Sequence, residues 1–128
     1  MRVLKLKAFA RWARKEGLAD ASLRVAVLEM RRGLVDADLG GGLLKKRVAR
    51  PGGGKRGGYR TIVAADLRER WVFLYGFAKS ERDDLDDDEV RELKRLAKSY
   101  LPLREEVLER LIDAGALIEV KNGEPQAS

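Results

Sequence analysis

Three segments of β-forming residues occupy the middle of the chain, at positions 43–50, 59–65 and 71–77. The second and third are rich in β-branched and aromatic residues, which are the types enriched in strands. Only eight residues, PGGGKRGG, separate the first two segments, and a tight turn near residues 66–69 separates the last two. A parallel crossover needs a dozen residues or more, so links this short predict antiparallel neighbours.

Four segments with helical periodicity flank these strands, two before them and two after them. In each segment apolar residues recur at spacings of three and four, which predicts one apolar face that packs on the sheet. Asp20 suits the N-cap of the second helix, and the acids at 86–89 suit the first turn of the third, where the macrodipole favours negative charge. The predicted helices span residues 8–16, 20–32, 86–101 and 104–114.

The remaining segments complete a single domain of the α+β class. Residues 2–7 alternate apolar and basic side chains, which suits a short edge strand, and residues 117–120 suit a last short strand. Residues 34–42 are predicted to form a loop that ends in three glycines. Two N-terminal helices, a three- or four-stranded antiparallel sheet and C-terminal helices then form one domain over residues 1–121, with a mobile tail at 122–128.

The composition excludes several classes of protein. The 128 residues include no cysteine, which excludes a disulfide scaffold and a zinc–thiolate site and suits a reducing compartment. A hydrophobic content of 45% is too high for a disordered chain. Neither an apolar run of about 18 residues nor a signal-peptide core is present, so we expect no contact with a membrane and a cytoplasmic location.

The positive charge of the chain is concentrated in residues 45–60. The net charge is +6, with 27 lysines and arginines against 21 acids. This segment contains seven of the cations and none of the acids, so the rest of the chain carries a net charge of −1. A near-neutral domain with one acid-free basic segment predicts a site for a polyanion, and RNA is the polyanion that we expect. The seven cations are Lys45, Lys46, Arg47, Arg50, Lys55, Arg56 and Arg60.

Alternation along the strands predicts which of these cations share a face of the sheet. Lys45 and Arg47 are two residues apart and so lie on one face, whereas Lys46 lies on the other. Tyr59 and Arg60 point to opposite faces of the second strand, so one of them joins Lys45 and Arg47, depending on the register. The expected result is a shallow cationic surface that can hold RNA phosphates.

The third strand adds aromatic residues and two further cations. Lys79 and Arg82 follow the end of this strand and are expected to border the cationic surface. Tyr75 and Phe77 can stack on unpaired bases, as aromatic residues do in single-stranded RNA readers, or can pack in the core. By alternation, the aromatic residues expected on one face are Trp71, Phe73, Tyr75 and Phe77.

The glycine-rich link between the first two strands has two interpretations. Its glycines allow positive φ angles that a turn needs, and its backbone amides can hold a phosphate group. Lys55 and Arg56 within it are expected to bind backbone phosphate. The link precedes a strand rather than a helix, so it is not a P-loop and nucleoside triphosphate hydrolysis is not expected.

The chain contains no histidine, which limits the available chemistry. A histidine-pair ribonuclease mechanism is excluded, so cleavage of RNA must use lysine, arginine and tyrosine. The acidic residues at 83–89 can hold a hard cation, begin a helix or contact a partner, and the start of a helix is the expected role. No metal and no small-molecule cofactor is predicted.

Two stretches of the chain resemble the RelE-like toxins of bacterial toxin–antitoxin modules, in the RelE/HigB branch. They are GGLLKKRVARPGGGKRGGYRTIVA and WVFLYGFAKSERDDL, and their specific parts are L-x-K-x-R-V, G-K-R-G-G-Y-R and Y-G-F-A-K-S-E-R. The resemblance covers residues 1–100 and implies a metal-independent mRNA endonuclease that acts on the ribosome by 2′-hydroxyl attack on the adjacent phosphate. It also implies a cognate antitoxin, commonly with a helix-turn-helix DNA-binding domain, that holds the toxin inactive.

The resemblance implies that the basic active-site positions fall on Lys45, Arg47 and Arg60, with Lys79 and Arg82 in the K-x-E-R that ends the third strand. Together with the residues chosen above, the candidate catalytic residues are Lys45, Arg47, Tyr59, Arg60, Lys79 and Arg82. The candidate residues for RNA or phosphate binding are Lys46, Arg50, Lys55, Arg56, Tyr75 and Phe77.

The chain departs from the family pattern at two positions. The best-studied members carry a catalytic arginine where this chain has Ser80, and a tyrosine where it has Asp86. Arg82 or Arg50 is the candidate for the missing arginine, and Tyr59 or Tyr75 for the missing tyrosine.

Two alternatives to an active nuclease are open. The first is a non-catalytic binding module that inhibits gyrase or translation or acts as a nucleic-acid adaptor, since the ParE branch of the superfamily poisons gyrase without nuclease activity. The second is a toxin that has lost its activity, which the residues at positions 80 and 86 suggest.

Overall fold

The computed structural model describes residues 1–50, 58–66 and 68–121. These residues form an α+β domain, as predicted, with four helices and six strands. None of the four helices in these ranges is long and apolar enough to cross a membrane. In chain order the elements are β1 (Arg2–Leu6), α1 (Lys7–Glu16), α2 (Asp20–Arg31), β2 (Ala37–Gly40), β3 (Leu43–Val48), β4 (Tyr59–Ala65), β5 (Arg70–Ala78), α3 (Asp87–Tyr100), α4 (Glu105–Asp113) and β6 (Leu117–Glu119).

The six strands form one mixed sheet in the order β2-β3-β4-β5-β1-β6. The prediction of a three- or four-stranded antiparallel sheet is therefore wrong in number and in direction, because β1 pairs with β5 in parallel. The prediction of β1 as an edge strand is also wrong, since β6 covers its other side. The basic residues that suggested an edge are matched by acids on neighbouring elements: Arg2 pairs with Glu109 and Lys5 with Asp20.

A short strand forms where the sequence predicted a loop over residues 34–42. β2 pairs with β3 in an antiparallel hairpin, although its sequence, ADLG, is poor in β-forming residues. The two strands are joined through Gly40, Gly41 and Gly42, whose φ angles of +87°, +64° and +83° favour glycine. A Cβ atom on Gly42 would also lie 2.9 Å from the Leu101 side chain, so glycine is required there for close packing as well.

The sheet separates two apolar cores. One core lies between the sheet and α1 and α2, and contains Phe9, Val27 and Phe73. The other lies between the sheet and α3 and α4, and contains Ile62 and Leu108. Both faces of the central strands are therefore buried, which explains why β4 and β5 read as nearly continuous apolar runs.

A β-bulge changes the alternation in β5. Val63 of β4 pairs with Phe73, but its neighbour Ile62 pairs with Tyr75, so Leu74 is an extra residue. Phe73 and Trp71 consequently belong to the core beneath α1 and α2, whereas Tyr75 packs against the core beneath α3 and α4. The prediction that all four aromatic residues of this strand share a face is wrong for this reason.

The two predicted helix starts have different outcomes. Asp20 is the first residue of α2 rather than its N-cap, and no side chain caps this helix. Its carboxylate instead accepts hydrogen bonds from Lys5 Nζ at 2.6 Å and the Lys121 amide at 2.9 Å. The start of α3 is as predicted, since Asp86 and Glu89 form a reciprocal capping box. The predicted tail at 122–128 lies outside the described residues.

Candidate functional site

The pairing of β3 with β4 brings three of the predicted cations onto one face of the sheet. Lys45 lies opposite Ile62, and Arg47 lies opposite Arg60. Since Ile62 belongs to the core beneath α3 and α4, all three cations lie on that side of the sheet. Arg47 is exposed, and Lys45 and Arg60 are half-buried. We call the surface formed by Lys45, Arg47 and Arg60 the basic face.

Arg47 and Arg60 occupy directly opposite positions on neighbouring antiparallel strands. Residues so placed have Cβ atoms about 5 Å apart, and like charges there destabilise a sheet. Within residues 1–50, 58–66 and 68–121, no acidic side chain forms an ion pair with either guanidinium. The two arginines line a groove of about 240 Å³ together with Gly58 and the end of β3. The two guanidinium groups are thus a concentrated positive charge beside this groove.

Lys45 differs from the two arginines because an acid holds it. Its Nζ donates to both carboxylate oxygens of Asp84, each at 3.1 Å. Hydrogen bonds from the Leu85 amide and from Lys45 hold the pKa of Asp84 below its usual value. Asp84 is therefore fully ionised near neutral pH, and the charge of Lys45 is balanced within the protein.

Arg82 is also bound to an acid and to neighbouring groups. Its guanidinium forms a bidentate pair with Glu89, with Nη1 to Oε2 at 2.9 Å, and donates to the Asp84 carbonyl. It also donates to the Tyr75 hydroxyl at 3.4 Å and lies 5.3 Å from the centre of the Phe77 ring. Hydrogen bonding to Arg82 lowers the pKa of Glu89 to about 2, and the same pair raises the pKa of Arg82.

Three other positions at the end of β5 were singled out in the sequence. Lys79 forms an exposed ion pair with Asp83 at 3.5 Å. Ser80 is exposed in the turn that follows the strand, and Asp86 caps α3. The Ser80 side chain therefore faces solvent, and the Asp86 side chain has a structural role at the start of α3.

Two candidate residues lie on the opposite side of the sheet from the basic face. Lys46 is buried, donates to the Leu34 carbonyl at 2.9 Å and pairs with Glu29 at 2.9 Å. Tyr59 is buried, and its hydroxyl donates to the Glu16 carbonyl at 3.0 Å. Strand alternation places both side chains toward α1 and α2. Neither Lys46, a candidate for RNA binding, nor Tyr59, a candidate catalytic residue, therefore lies on the basic face.

The remaining candidates have mixed positions. Arg50 is exposed, lies over the Tyr59 ring at 5.7 Å and is near Glu16. It therefore lies with these residues on the side of the sheet opposite the basic face. Phe77 is only 4% exposed, which favours the interpretation of this residue as core, whereas Tyr75 is half-buried. Lys55 and Arg56 lie outside the described residues.

The contact of Asp84 with the basic face was not predicted from the sequence. The acids at 83–89 were expected together at the start of a helix, yet the N-cap is Asp86. Asp84 precedes the cap by two residues, which is a signal that it serves another purpose. In the described ranges no three acidic side chains converge in a way that would hold a metal ion.

The family of the chain follows from its match to a family model. Residues 1–120 match the model of the RelE toxin of the RelE/RelB toxin–antitoxin system. The chain belongs to the RelE toxin family. Members are toxins of toxin–antitoxin modules and are generally endoribonucleases that inhibit translation, so a cognate antitoxin is implied. A search of curated proteins found no match.

The match also extends the resemblance seen in the sequence, which covered residues 1–100. The RelE model reaches residue 120 and so includes α4 and β6. These elements pack into the fold, since β6 pairs with β1 and Leu108 of α4 is fully buried. The C-terminal helix is thus part of the RelE-family domain.

Proposed function

We propose that this protein is a toxin that cleaves mRNA and that Arg47 and Arg60 hold the phosphate at which the RNA is cut. The observation that carries the proposal is the pair of arginines at directly opposite positions of β3 and β4, neither of whose guanidinium groups forms an ion pair within residues 1–50, 58–66 and 68–121. A guanidinium binds phosphate through two parallel hydrogen bonds, and a bound phosphate would relieve the repulsion between the two cations.

The proposed reaction needs no metal ion. The 2′-hydroxyl gives its proton to solvent water as its oxygen attacks the adjacent phosphorus, and the bond from phosphorus to the 5′-oxygen breaks. The leaving 5′-oxygen takes up a proton, so the products are a 2′,3′-cyclic phosphate and a 5′-hydroxyl. Negative charge grows on the phosphoryl oxygens in the transition state, where Arg47 and Arg60 stabilise it. Removal of a comparable donor in other enzymes slows the reaction by about 10²-fold to 10³-fold.

Tyr75 is the candidate for transfer of a proton to the leaving 5′-oxygen in this scheme. The chain has no histidine, and Tyr59 faces the other side of the sheet with its hydroxyl bound to Glu16. Tyr75 is half-buried, packs against the core on the side of the basic face and has its hydroxyl 3.4 Å from Arg82. A hydroxyl on this side of the sheet is available to donate a proton to the leaving oxygen, so Tyr75 is our candidate general acid.

The proposed setting is the ribosome, with mRNA as the substrate, in the cytoplasm. The proposed partner is a cognate antitoxin, with a helix-turn-helix DNA-binding domain and an acidic segment that covers the basic face. The charge of the Arg47–Arg60 pair is complementary to such a segment, which favours rapid association and the correct register.

The alternative is a non-catalytic binding module of the ParE type or a toxin without activity. The exposure of Ser80 and the use of Asp86 as a helix cap favour this alternative, because neither residue provides the arginine or tyrosine of the best-studied relatives. Such a module would bind nucleic acid with steep salt dependence and leave it intact.

Expression in cells distinguishes the nuclease from the non-catalytic binding module. We compare wild type with the double variant Arg47→Gln/Arg60→Gln and with the control Arg91→Gln/Arg95→Gln, which removes two exposed arginines of α3 and the same net charge. The proposal predicts growth arrest and new transcript 5′ ends with wild type and the control, and neither with the Arg47/Arg60 variant. Growth arrest by all three proteins with intact transcripts would contradict the nuclease and favour the binding module.

A further inference from the structure

One of the three cations of the basic face, Lys45, forms an ion pair with an acidic side chain of the protein itself, Asp84. Asp84 places both carboxylate oxygens 3.1 Å from Lys45 Nζ, in the way that two oxygens of a phosphate group would approach the same ammonium. The Lys45 side chain is 19% exposed, whereas that of Asp84 is 58% exposed. The ammonium is thus held in place by the fold, and the carboxylate can leave toward solvent.

The loop that carries Asp84 is fixed independently of Lys45. Arg82 donates from Nε and Nη2 to the Asp84 carbonyl, at 3.1 Å and 2.9 Å. Arg82 is itself held by Glu89 in the first turn of α3. The Leu85 amide orients the carboxylate by donating to Oδ1 at 2.8 Å. The backbone at Asp84 is therefore anchored by groups other than Lys45, and the side chain is directed at Lys45.

The pairing divides the basic face into two parts. In the part of the chain that the structure describes, the guanidinium groups of Arg47 and Arg60 form no ion pair, and the Asp36 carboxylate accepts only from the Arg47 backbone amide, at 2.6 Å. Lys45, in contrast, has Asp84 on the same face. We propose that Asp84 is an internal competitor of RNA, which masks Lys45 in the free protein and is displaced when an RNA phosphate binds Lys45. The proposal rests on the proposed function, because it assigns a regulation to the same basic face.

The exchange has a defined effect on RNA binding. A phosphate that replaces Asp84 at Lys45 must first break an ion pair, so the wild-type affinity is reduced by the strength of that pair. Pairs at comparable exposure correspond to a factor of roughly two to five in an equilibrium constant.

The variant Asp84→Asn tests this directly, because asparagine keeps an oxygen for the Leu85 amide but loses the charge. The control is Asp88→Asn, which changes the net charge equally at an exposed acid paired with Arg91. The probe is a fluorescent single-stranded RNA with 2′-O-methyl groups, which cannot be cleaved by 2′-hydroxyl attack. We expect Asp84→Asn to bind about two- to five-fold more tightly than Asp88→Asn.

A second pair of variants shows whether the gain in RNA affinity caused by Asp84→Asn requires Lys45. In a Lys45→Gln background, Asp84→Asn should bind no more tightly than Asp88→Asn. Equal binding of the two single variants, absence of binding by both, or an equal gain without Lys45 would overturn the inference. Cleavage of unmodified RNA is measured in parallel: if binding follows the expected pattern and RNA stays intact, the nuclease proposal fails while the role of Asp84 stands.

Discussion

Arg70 is predicted to hold the C-terminal end of α3 against the sheet. Its side chain is 12% exposed, and Nη1 lies 3.1, 2.8 and 2.7 Å from the carbonyl oxygens of Tyr100, Leu101 and Leu103. These carbonyls lie at and just beyond the helix end, where the last turn lacks intrahelical donors and the macrodipole favours a cation.

Replacement of Arg70 by methionine keeps an apolar stem and removes the donors. Nη1 has two hydrogens, so it forms about two good hydrogen bonds at once, each contributing roughly 1.5–3 kcal/mol when the donor is charged. We therefore expect Arg70→Met to lower the free energy of unfolding by about 3–6 kcal/mol. For a domain of this size that corresponds to a fall in Tm of roughly 10–21 °C.

Urea unfolding followed by circular dichroism measures this loss. The matched control is Arg104→Met, because Arg104 is 80% exposed and contacts only Glu106 through its side chain in the described residues. The control should lie within about 0.5 kcal/mol of wild type, as surface substitutions usually do. If Arg70→Met is no less stable than the control, Arg70 does not cap α3 and this account of the helix end is wrong.

Three further predictions concern Glu89, Gly76 and Tyr75. The hydrogen bond from Arg82 lowers the pKa of Glu89 from 4.5 to about 2, so the stabilisation is complete above about pH 4.5 and is lost as the pH falls toward 2; the stability difference between wild type and Glu89→Gln should shrink over this range, and a constant difference would refute the pairing. A Cβ atom on Gly76 would lie 2.3 Å from the Trp12 ring, so Gly76→Ala should lower stability by about 1–3 kcal/mol in thermal unfolding, and an unchanged Tm would contradict the close packing. If Tyr75 is the general acid, Tyr75→Phe should slow single-turnover cleavage by about 10²-fold or more without weakening binding of uncleavable RNA, and an unchanged rate would exclude the role.

Local patterns in the sequence predicted the part of the site that depends on regular strands. Lys45 and Arg47 are two residues apart on a strand without irregularities, so alternation alone placed them on one face. The choice between Tyr59 and Arg60 needed the register of β3 against β4, which sequence spacing leaves open across an eight-residue link. The structure resolves it in favour of Arg60.

Features that depend on contacts between distant segments were not predictable in this way. One extra residue, Leu74, reverses the alternation in β5, and nothing in an apolar run marks its position. The burial of Lys46 depends on the Leu34 carbonyl and on Glu29, which come from elsewhere in the chain. The internal position of β1 likewise depends on β5, nearly 70 residues later.

The central claim is that the Arg47–Arg60 pair holds the phosphate that is cut after attack by a 2′-hydroxyl. Purified protein is added to ribosomes that hold a short mRNA, either unmodified or with hydrogen in place of the 2′-hydroxyl at the cleaved position. The account predicts that wild type cuts only the unmodified mRNA and that Arg47→Gln/Arg60→Gln, at equal thermal stability, cuts it at least 10²-fold more slowly. Equal cleavage of both mRNAs, or an undiminished rate in the variant, would contradict it.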